Sequence, residues 1–204
     1  MIVIVNFGLG NIEAFVDIYH RLKIDVRVAK EVSELEGADK LILPGVGAFD
    51  WAMTKLNNSG MRERLDEMVQ FDEIPVLGVC VGMQIMAARS EEGKQKGLNW
   101  MRGEVRRFDT TQFSQKTQLP HMGWNDVVPC SESPLFSGLE TGARFYFLHS
   151  YFFNTVSEND VLSRTDYNGT FASSVHTGSA FGVQFHPEKS HHWGVRLLEN
   201  FARL

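Results

Sequence analysis

A cysteine stands between two glycines in the segment 78–82, Gly-Val-Cys-Val-Gly, directly after the apolar run 74–77. Because a free thiol has a pKa of about 8.5, a catalytic cysteine needs a nearby cation or a helix N-terminus to favour its thiolate form. The glycines suit a sharp strand-to-helix turn whose helix directs amide groups toward the sulfur. The segment predicts Cys80 as a nucleophile and the amide of Val81 as an oxyanion donor. A buried cysteine on a core strand accounts for the local pattern equally well.

A histidine and a carboxylate stand two positions apart in the segment 181–188, Phe-Gly-Val-Gln-Phe-His-Pro-Glu. Pro187 biases the residue before it toward an extended backbone, in which side chains at i and i+2 share a face. Glu188 can then accept a hydrogen bond from one imidazole nitrogen of His186 while the other nitrogen faces a thiol. Taken alone, such a histidine is more often a surface or structural residue. Together with Cys80, the pair predicts a Cys80, His186 and Glu188 triad.

A glycine turn follows another apolar strand at 43–48, Leu-Pro-Gly-Val-Gly-Ala. Bare backbone at such a turn can approach a substrate closely, so Val46 and Gly47 are candidates for a second oxyanion donor. An ordinary strand-to-helix turn would use the same residues.

Two cofactor signals fail on their spacing. The pair Gly8 and Gly10 follows the first strand, but Glu13 occupies the third glycine position of a dinucleotide-binding fingerprint. The histidines at 186, 191 and 192 match no standard zinc spacing, and no cysteine is close to them in sequence. We therefore expect neither a metal nor an organic cofactor.

The composition indicates a soluble globular protein with one domain over residues 1–204. Of the 204 residues, 43% are apolar and 22% charged, and the net charge of −5 with scattered basic residues argues against nucleic-acid binding. No apolar run reaches the roughly 20 residues of a membrane span, and the segment 1–5 has no signal-peptide flank. We expect a cytoplasmic protein whose two cysteines are not joined in a disulfide.

The order of apolar runs predicts an α/β fold with a central mixed, mostly parallel sheet flanked by helices. The first half alternates strands with amphipathic helices: 2–7, 12–22, 26–29, 41–43, 48–56, 61–69, 76–79 and 83–88. After Gly103 the chain reads as strands that extend the sheet: 104–108, 125–128, 144–153, 161–165, 170–176 and 180–185. The segment 193–204 is predicted as a helix with Val195, Leu198 and Phe201 on one face. The polar segment 110–118 lacks periodicity, and no role is predicted for it.

Together, these motifs resemble those of the class I (triad) glutamine amidotransferases over almost the whole chain. The supporting segments are 8–11, 44–49, 78–84, 90–93, 120–125, 145–151 and 184–190. Within that family they are most similar to the glutaminase subunits of imidazole glycerol phosphate synthase, which act in histidine biosynthesis.

The resemblance implies hydrolysis of L-glutamine to glutamate and ammonia through a glutamyl thioester. It implies Cys80 as nucleophile, His186 as general base and acid, and Glu188 as the orienting carboxylate. It implies that the amino-acid end of the substrate is bound by Gln84 and Glu92, with backbone near His149, Ser150 and Tyr151. It also implies an oxyanion site lined by Val46, Gly47 and Val81.

The resemblance also implies a partner. The released ammonia would cross into a (β/α)₈ cyclase subunit of a heterodimer, which Asn11, Trp124 and Lys189 would contact. A single domain of this length leaves no room for a synthase domain, which independently favours use of the ammonia elsewhere.

Three positions depart from the family pattern and keep an alternative open. Asn6-Phe7 replaces a typical Asp-Tyr pair, Val81 replaces a leucine, and His191-His192 is unusual. A paralogue that supplies ammonia for amidination of a sugar in surface polysaccharide synthesis fits these departures. A stand-alone cysteine hydrolase would use the same triad, but Gln84 and Glu92 argue against it. A non-catalytic binding module would be expected to lack triad residues.

Overall fold

The structure is a computed structural model that describes residues 1–112 and 118–204. Most of the polar segment 110–118 therefore lies outside the described residues. The strands are, in chain order, β1 (Ile2–Val5), β2 (Val26–Ala29), β3 (Lys40–Gly45), β4 (Val76–Cys80), β5 (Arg89–Ser90), β6 (Gly103–Arg107), β7 (His121–Asp126), β8 (Val128–Pro129), β9 (Arg144–His149), β10 (Tyr151–Thr155), β11 (Val161–Asp166), β12 (Thr170–Thr177) and β13 (Ala180–Val183). The α-helices are α1 (Ile12–Arg21), α2 (Phe49–Asn58), α3 (Arg62–Gln70), α4 (Val81–Gln84) and α5 (His191–Arg203).

One eight-stranded sheet, in the order β2-β1-β3-β4-β13-β12-β11-β8, forms the centre of the fold. The strands from β2 to β13 in that order are parallel, and the last three join antiparallel. Every residue of β1 and β4 is buried, because these strands are covered on both faces and accordingly are almost wholly apolar. The predicted α/β class with a mixed, mostly parallel sheet is confirmed.

The run 83–88 was predicted as a helix, and this prediction was wrong beyond its first two residues. Helix α4 is a single turn that ends at Gln84. The next carbonyl groups, from Ile85 to Ala88, accept hydrogen bonds from amides of the segment 97–101 instead of from the following turn of a helix. The apolar side chains are buried in either arrangement, so their periodicity did not distinguish the two.

The run 144–153 was predicted as one strand, but it forms two strands that belong to different sheets. Strand β9 pairs with β7, whereas β10 pairs with β6, and the chain breaks between them at Ser150. The strands β5, β6, β7, β9 and β10 therefore form two small sheets and do not extend the main one. Alternating apolar residues specify a half-buried strand but not its partner, which explains the error.

The predicted strand 125–128 is also divided: it covers the end of β7, which begins at His121, and the start of β8, and these strands lie in different sheets. The remaining boundaries differ slightly, since β13 ends at Val183 and α5 begins two residues early, at His191. Of the residues predicted on one face of α5, Leu198 and Phe201 are buried and Val195 is partly buried against the same core. None of the helices in the described part of the chain combines the length and apolarity that crossing a membrane requires.

Candidate active site

The nucleophile candidate lies at a strained elbow between β4 and α4. Cys80 has a φ of 55° and a ψ of −112°, a backbone conformation that residues other than glycine rarely adopt. The glycines beside it allow close packing: a Cβ on Gly82 would lie 1.9 Å from the carbonyl oxygen of Leu43, and one on Gly78 would lie 2.8 Å from the backbone of Met83. The predicted sharp turn is therefore present.

The histidine and carboxylate lie beside this elbow because β13 runs parallel to β4, with Val183 opposite Val79. The His186 Nδ1 atom is 2.9 Å from Glu188 Oε1, and the two side chains are only 3% and 2% exposed. The His186 backbone is held on both sides: its amide donates to Tyr146 O and its carbonyl accepts from Ser190 Oγ. The imidazole orientation is thus fixed by the fold.

The electrostatics of this group favour a charged imidazole. Burial would lower the pKa of His186, but hydrogen bonds with Cys80 and Glu188 outweigh burial and raise the pKa to about 10. An imidazolium that is hydrogen-bonded to a thiol stabilises the thiolate, which is the nucleophilic form. Cys80, His186 and Glu188 are therefore arranged as one hydrogen-bonded unit.

A cleft of about 330 Å³ opens above Cys80 at the carboxyl ends of β3, β4 and β13. It brings together all the residues predicted for the substrate and the oxyanion. Its lining consists of Val46, Gly47, Cys80, Val81, Gln84, Glu92, Pro120, Leu148, His149, Ser150, Tyr151, His186 and Lys189. Glu188 is not part of this lining and contacts His186 through the Nδ1 atom.

The amide of Gln84 is anchored within this cleft. Its Nε2 atom donates to the Tyr151 carbonyl oxygen over 3.0 Å and to Gln184 Oε1 over 3.1 Å. Gln184 in turn donates from Nε2 to Cys80 Sγ over 3.7 Å and is fully buried. Sequence reasoning did not single out Gln184, because its only signal was its place in the segment 181–188.

Glu92 connects the substrate cleft to the glycine turn. Its Oε2 atom accepts a 2.8 Å hydrogen bond from the amide of Phe49, the first residue of α2. A carboxylate at a helix N-terminus is favoured by the helix dipole. One oxygen of Glu92 therefore positions the turn that contains Val46 and Gly47.

Two buried histidines continue the network toward the protein surface. His149 Nδ1 lies 2.8 Å from the Tyr151 carbonyl oxygen, which can only accept, so His149 carries its proton on Nδ1. His149 Nε2 then accepts from His121 Nδ1 over 3.0 Å, and His121 Nε2 accepts from Asn125 Nδ2 over 3.2 Å. The chain thus runs from β7 to the backbone of the cleft with both imidazoles neutral.

This histidine pair predicts a loss of stability in acid. Burial lowers the pKa of His121 to about 4 and that of His149 to about 3, from ordinary values of 6.5. Their stabilising effect is complete above about pH 6.5, and it is lost as the pH falls because the unfolded chain binds protons that the folded chain excludes. Each group can contribute a slope of up to about 1.4 kcal/mol per pH unit.

We expect the free energy of unfolding in urea to fall between pH 6.5 and pH 4.5, and the variant His121→Gln to have a shallower dependence. The matched variant His20→Gln alters an exposed histidine and should keep the original slope. Equal slopes in all three proteins would contradict the assignment of neutral, buried histidines.

The predicted interface residues lie around the cleft but differ in their settings. Lys189 lines the cleft with its Nζ atom 5.9 Å from the centre of the Tyr146 ring. Trp124 is 39% exposed and stacks on His191, with ring centres 5.2 Å apart. Asn11 is exposed in the loop before α1, where a Cβ on Gly10 would meet Pro44. In residues 1–112 and 118–204 no group of three or more His, Cys, Asp or Glu side chains is arranged to hold a metal.

The fold and the hydrogen-bonded cysteine, histidine and glutamate are those of a glutamine amidotransferase, and comparison with known proteins agrees. The family model described as glutamine amidotransferase class-I matches residues 3–203. A crystal structure of a glutamine amidotransferase aligns over 99% of both chains with a TM-score of 0.75 and 20% identity. Another from Thermotoga maritima aligns over 92% of this chain and 75% of its own with a TM-score of 0.62 and 20% identity. The chain belongs to the class-I glutamine amidotransferase family.

Its full-length relatives define the particular group. The chain is 54% identical to the imidazole glycerol phosphate synthase subunit HisH of Bdellovibrio bacteriovorus and 47% identical to that of Leptospira interrogans, over 100% of each chain. It is 41% identical to subunit HisH 2 of Pseudomonas aeruginosa, again over 100% of both. Within the amidotransferases, the chain is a member of the HisH group, and the predicted glutaminase subunit is confirmed.

Proposed function

We propose that this chain hydrolyses L-glutamine with Cys80, His186 and Glu188 and passes the ammonia to a cyclase subunit for imidazole glycerol phosphate synthesis. The hydrogen-bonded Cys80, His186 and Glu188 unit at the base of a cleft is the observation that carries this proposal. The net reaction consumes one water and releases glutamate and ammonia. No cofactor takes part in it.

The reaction proceeds in two halves. The Cys80 thiolate attacks the side-chain carbonyl carbon of glutamine, and amides of Val81 and the 46–47 turn stabilise the oxyanion. His186 gives its proton to the leaving nitrogen, so that ammonia departs and a glutamyl thioester remains. His186, now neutral, takes a proton from a water molecule that attacks the thioester. Glutamate leaves, and the thiolate and imidazolium are restored.

The substrate's amino-acid end fits the far side of the cleft. Both hydrogen bonds that Gln84 donates use its amide nitrogen, which leaves its oxygen to accept from the substrate ammonium. The second carboxylate oxygen of Glu92 is available for the same cation. Backbone groups of the break at Ser150 supply donors for the substrate carboxylate.

The partner surface is proposed at the mouth of the cleft. Met122 and Leu148 are cross-strand neighbours in the pair of β7 and β9, and both are exposed. Trp124 lies two residues further along β7, and Val46 is exposed on the glycine turn. We call Val46, Met122, Trp124 and Leu148 the mouth surface. Exposed apolar surfaces of this kind often bind a partner protein. Because the mouth surface surrounds the exit of the cleft, a partner bound there would receive the ammonia before it escapes into water.

We expect Trp124→Ala to weaken association with the cyclase subunit by about tenfold or more, since large aromatic side chains often dominate interface energy. Isothermal titration calorimetry with the purified cyclase measures this effect. The matched control is Phe71→Ala, because Phe71 is an 80% exposed aromatic residue at the end of α3, before the amino end of β4. Equal affinity for Trp124→Ala and Phe71→Ala would remove Trp124 from the interface.

The function itself is tested by glutamate release from glutamine. The chain is assayed alone, with the histidine-pathway cyclase, and with the cyclase and its substrate phosphoribulosylformimino aminoimidazole carboxamide ribonucleotide. We expect strong stimulation in the full mixture, with imidazole glycerol phosphate formed in step with glutamate. A folded chain and an active cyclase without stimulation would contradict the proposal and favour the sugar-amidinating alternative.

A further inference from the structure

A buried amide contacts the sulfur of the proposed nucleophile and belongs to neither of the triad partners already described. Gln184 is fully buried and follows directly after β13, whose pairing with β4 puts Val183 opposite Val79. The same register places Gln184 beside Cys80. Its Nε2 atom lies 3.7 Å from Cys80 Sγ, within the range for a hydrogen bond to sulfur.

The surrounding hydrogen bonds fix the orientation of this amide. The Tyr151 carbonyl oxygen only accepts, so the Gln84 atom that contacts it is the nitrogen. The same nitrogen reaches Gln184, which must therefore present its oxygen to Gln84. The Gln184 nitrogen then faces the sulfur, so the contact is an N–H donor directed at Cys80 and not a carbonyl oxygen that would repel a thiolate.

We propose that Gln184 is a catalytic residue of this glutaminase, whose side-chain amide donates a hydrogen bond to the Cys80 thiolate and holds the sulfur toward the substrate carbonyl. The inference rests on the proposed function, because it takes Cys80 as the nucleophile. A hydrogen bond to an anion is stronger than one between neutral groups, and burial strengthens it further. Because the donor is uncharged, it stabilises the thiolate and leaves the attraction between the thiolate and the His186 imidazolium in place.

The arrangement also links recognition to the nucleophile. Gln84 contacts Gln184, and Gln184 contacts the sulfur, so the group proposed to bind the substrate ammonium is two hydrogen bonds from the reacting atom. A glutamine molecule bound at Gln84 thereby finds the thiolate held in a fixed position. Gln184 acts on the attack step, and its loss is expected to lower kcat more than it raises KM.

The test measures how fast Cys80 reacts with iodoacetamide as a function of pH in a Cys130→Ser background, in which Cys80 is the one remaining cysteine of the sequence. Gln184→Met keeps the length of the side chain and removes its donor. We expect the midpoint of the alkylation profile to rise by about one pH unit, as the loss of a hydrogen bond to a charged group implies. In the complex with the cyclase, kcat should fall about tenfold or more with little change in KM.

A second buried amide provides a matched control. Asn200 donates from Nδ2 to the carbonyl oxygens of Leu135 and Ser137, away from the cleft. Asn200→Leu should lower the melting temperature without moving the alkylation midpoint. An unchanged midpoint in Gln184→Met, with a loss of stability like that of Asn200→Leu, would reduce Gln184 to a packing residue and overturn the proposal.

Gln184→Leu serves if the methionine variant does not fold. Leucine has no hydrogen-bond donor in any ionisation state, so its midpoint should also rise, and an unchanged midpoint would again overturn the proposal. Failure of the proposed function is seen separately, because the unmodified chain would then show no stimulation of glutamate release by the cyclase and its substrate, whatever the alkylation profile of the Gln184 variants.

Discussion

Glutamine hydrolysis falls by about four orders of magnitude or more in Cys80→Ser, while the fold and the affinity for the cyclase are unchanged. Loss of a nucleophile that acts within a triad removes nearly all the rate enhancement of the chemical step. Serine has nearly the same size, so it fits the elbow at φ 55° without new contacts. Its hydroxyl has a far higher pKa than a thiol, so at neutral pH it supplies almost none of the anionic nucleophile that Cys80 supplies.

Glutamate release measured with the cyclase and its ribonucleotide substrate checks this expectation. Thermal unfolding and calorimetric titration against the cyclase confirm that the variant is folded and bound. Cys130→Ser is the control, because Cys130 is an exposed free cysteine outside the cleft and its variant should keep full activity. Substantial turnover by Cys80→Ser would show that another group attacks the substrate.

The sequence could predict those parts of the site whose residues lie close together in the chain. The glycines around Cys80 and the proline between His186 and Glu188 restrict the local backbone to particular conformations, so they indicate where each side chain lies. Alternating strands and helices then predict a parallel sheet, whose carboxyl ends must bring such segments together. The triad and the oxyanion turn could be proposed from these local signals. The substrate-binding residues Gln84 and Glu92 and the segment 149–151 were indicated only by the resemblance to the amidotransferases.

The parts that could not be predicted depend on pairings between distant segments. The contact of Gln184 with Gln84 joins residues 100 positions apart in the chain. Likewise, the neutral state of His121 follows from its pairing across β7 and β9, which no local pattern specifies. The single turn of α4 was missed for the same reason, because the segment 97–101 takes the hydrogen bonds that a longer helix would have used. Long-range backbone pairing decided each of these features.

The second large effect is expected for Glu188→Gln, which should lower kcat by about three orders of magnitude. Replacing the orienting carboxylate of a triad by its amide costs about 10⁴ where the wrong histidine tautomer results. An amide can present its NH₂ group to His186 Nδ1 and force the proton onto the nitrogen that faces Cys80. It also removes the negative charge that supports the imidazolium.

The burial of Glu188 is the reason to expect so large an effect. Its side chain is 2% exposed, and its Oε2 atom has no hydrogen-bond partner within residues 1–112 and 118–204, so His186 is the main group that compensates its charge. The hydrogen bond with Glu188 raises the pKa of His186, and removing the charge must lower that pKa. Activity that needs an imidazolium is then lost at a lower pH, so the alkaline limb of the kcat profile should move toward neutrality. Glu199→Gln, a carboxylate on α5 paired with Arg203, should leave the profile unchanged. A Glu188→Gln profile that keeps the original alkaline limb, with kcat within tenfold of the unmodified chain, would mean that Glu188 holds the segment 186–190 in place without acting on His186.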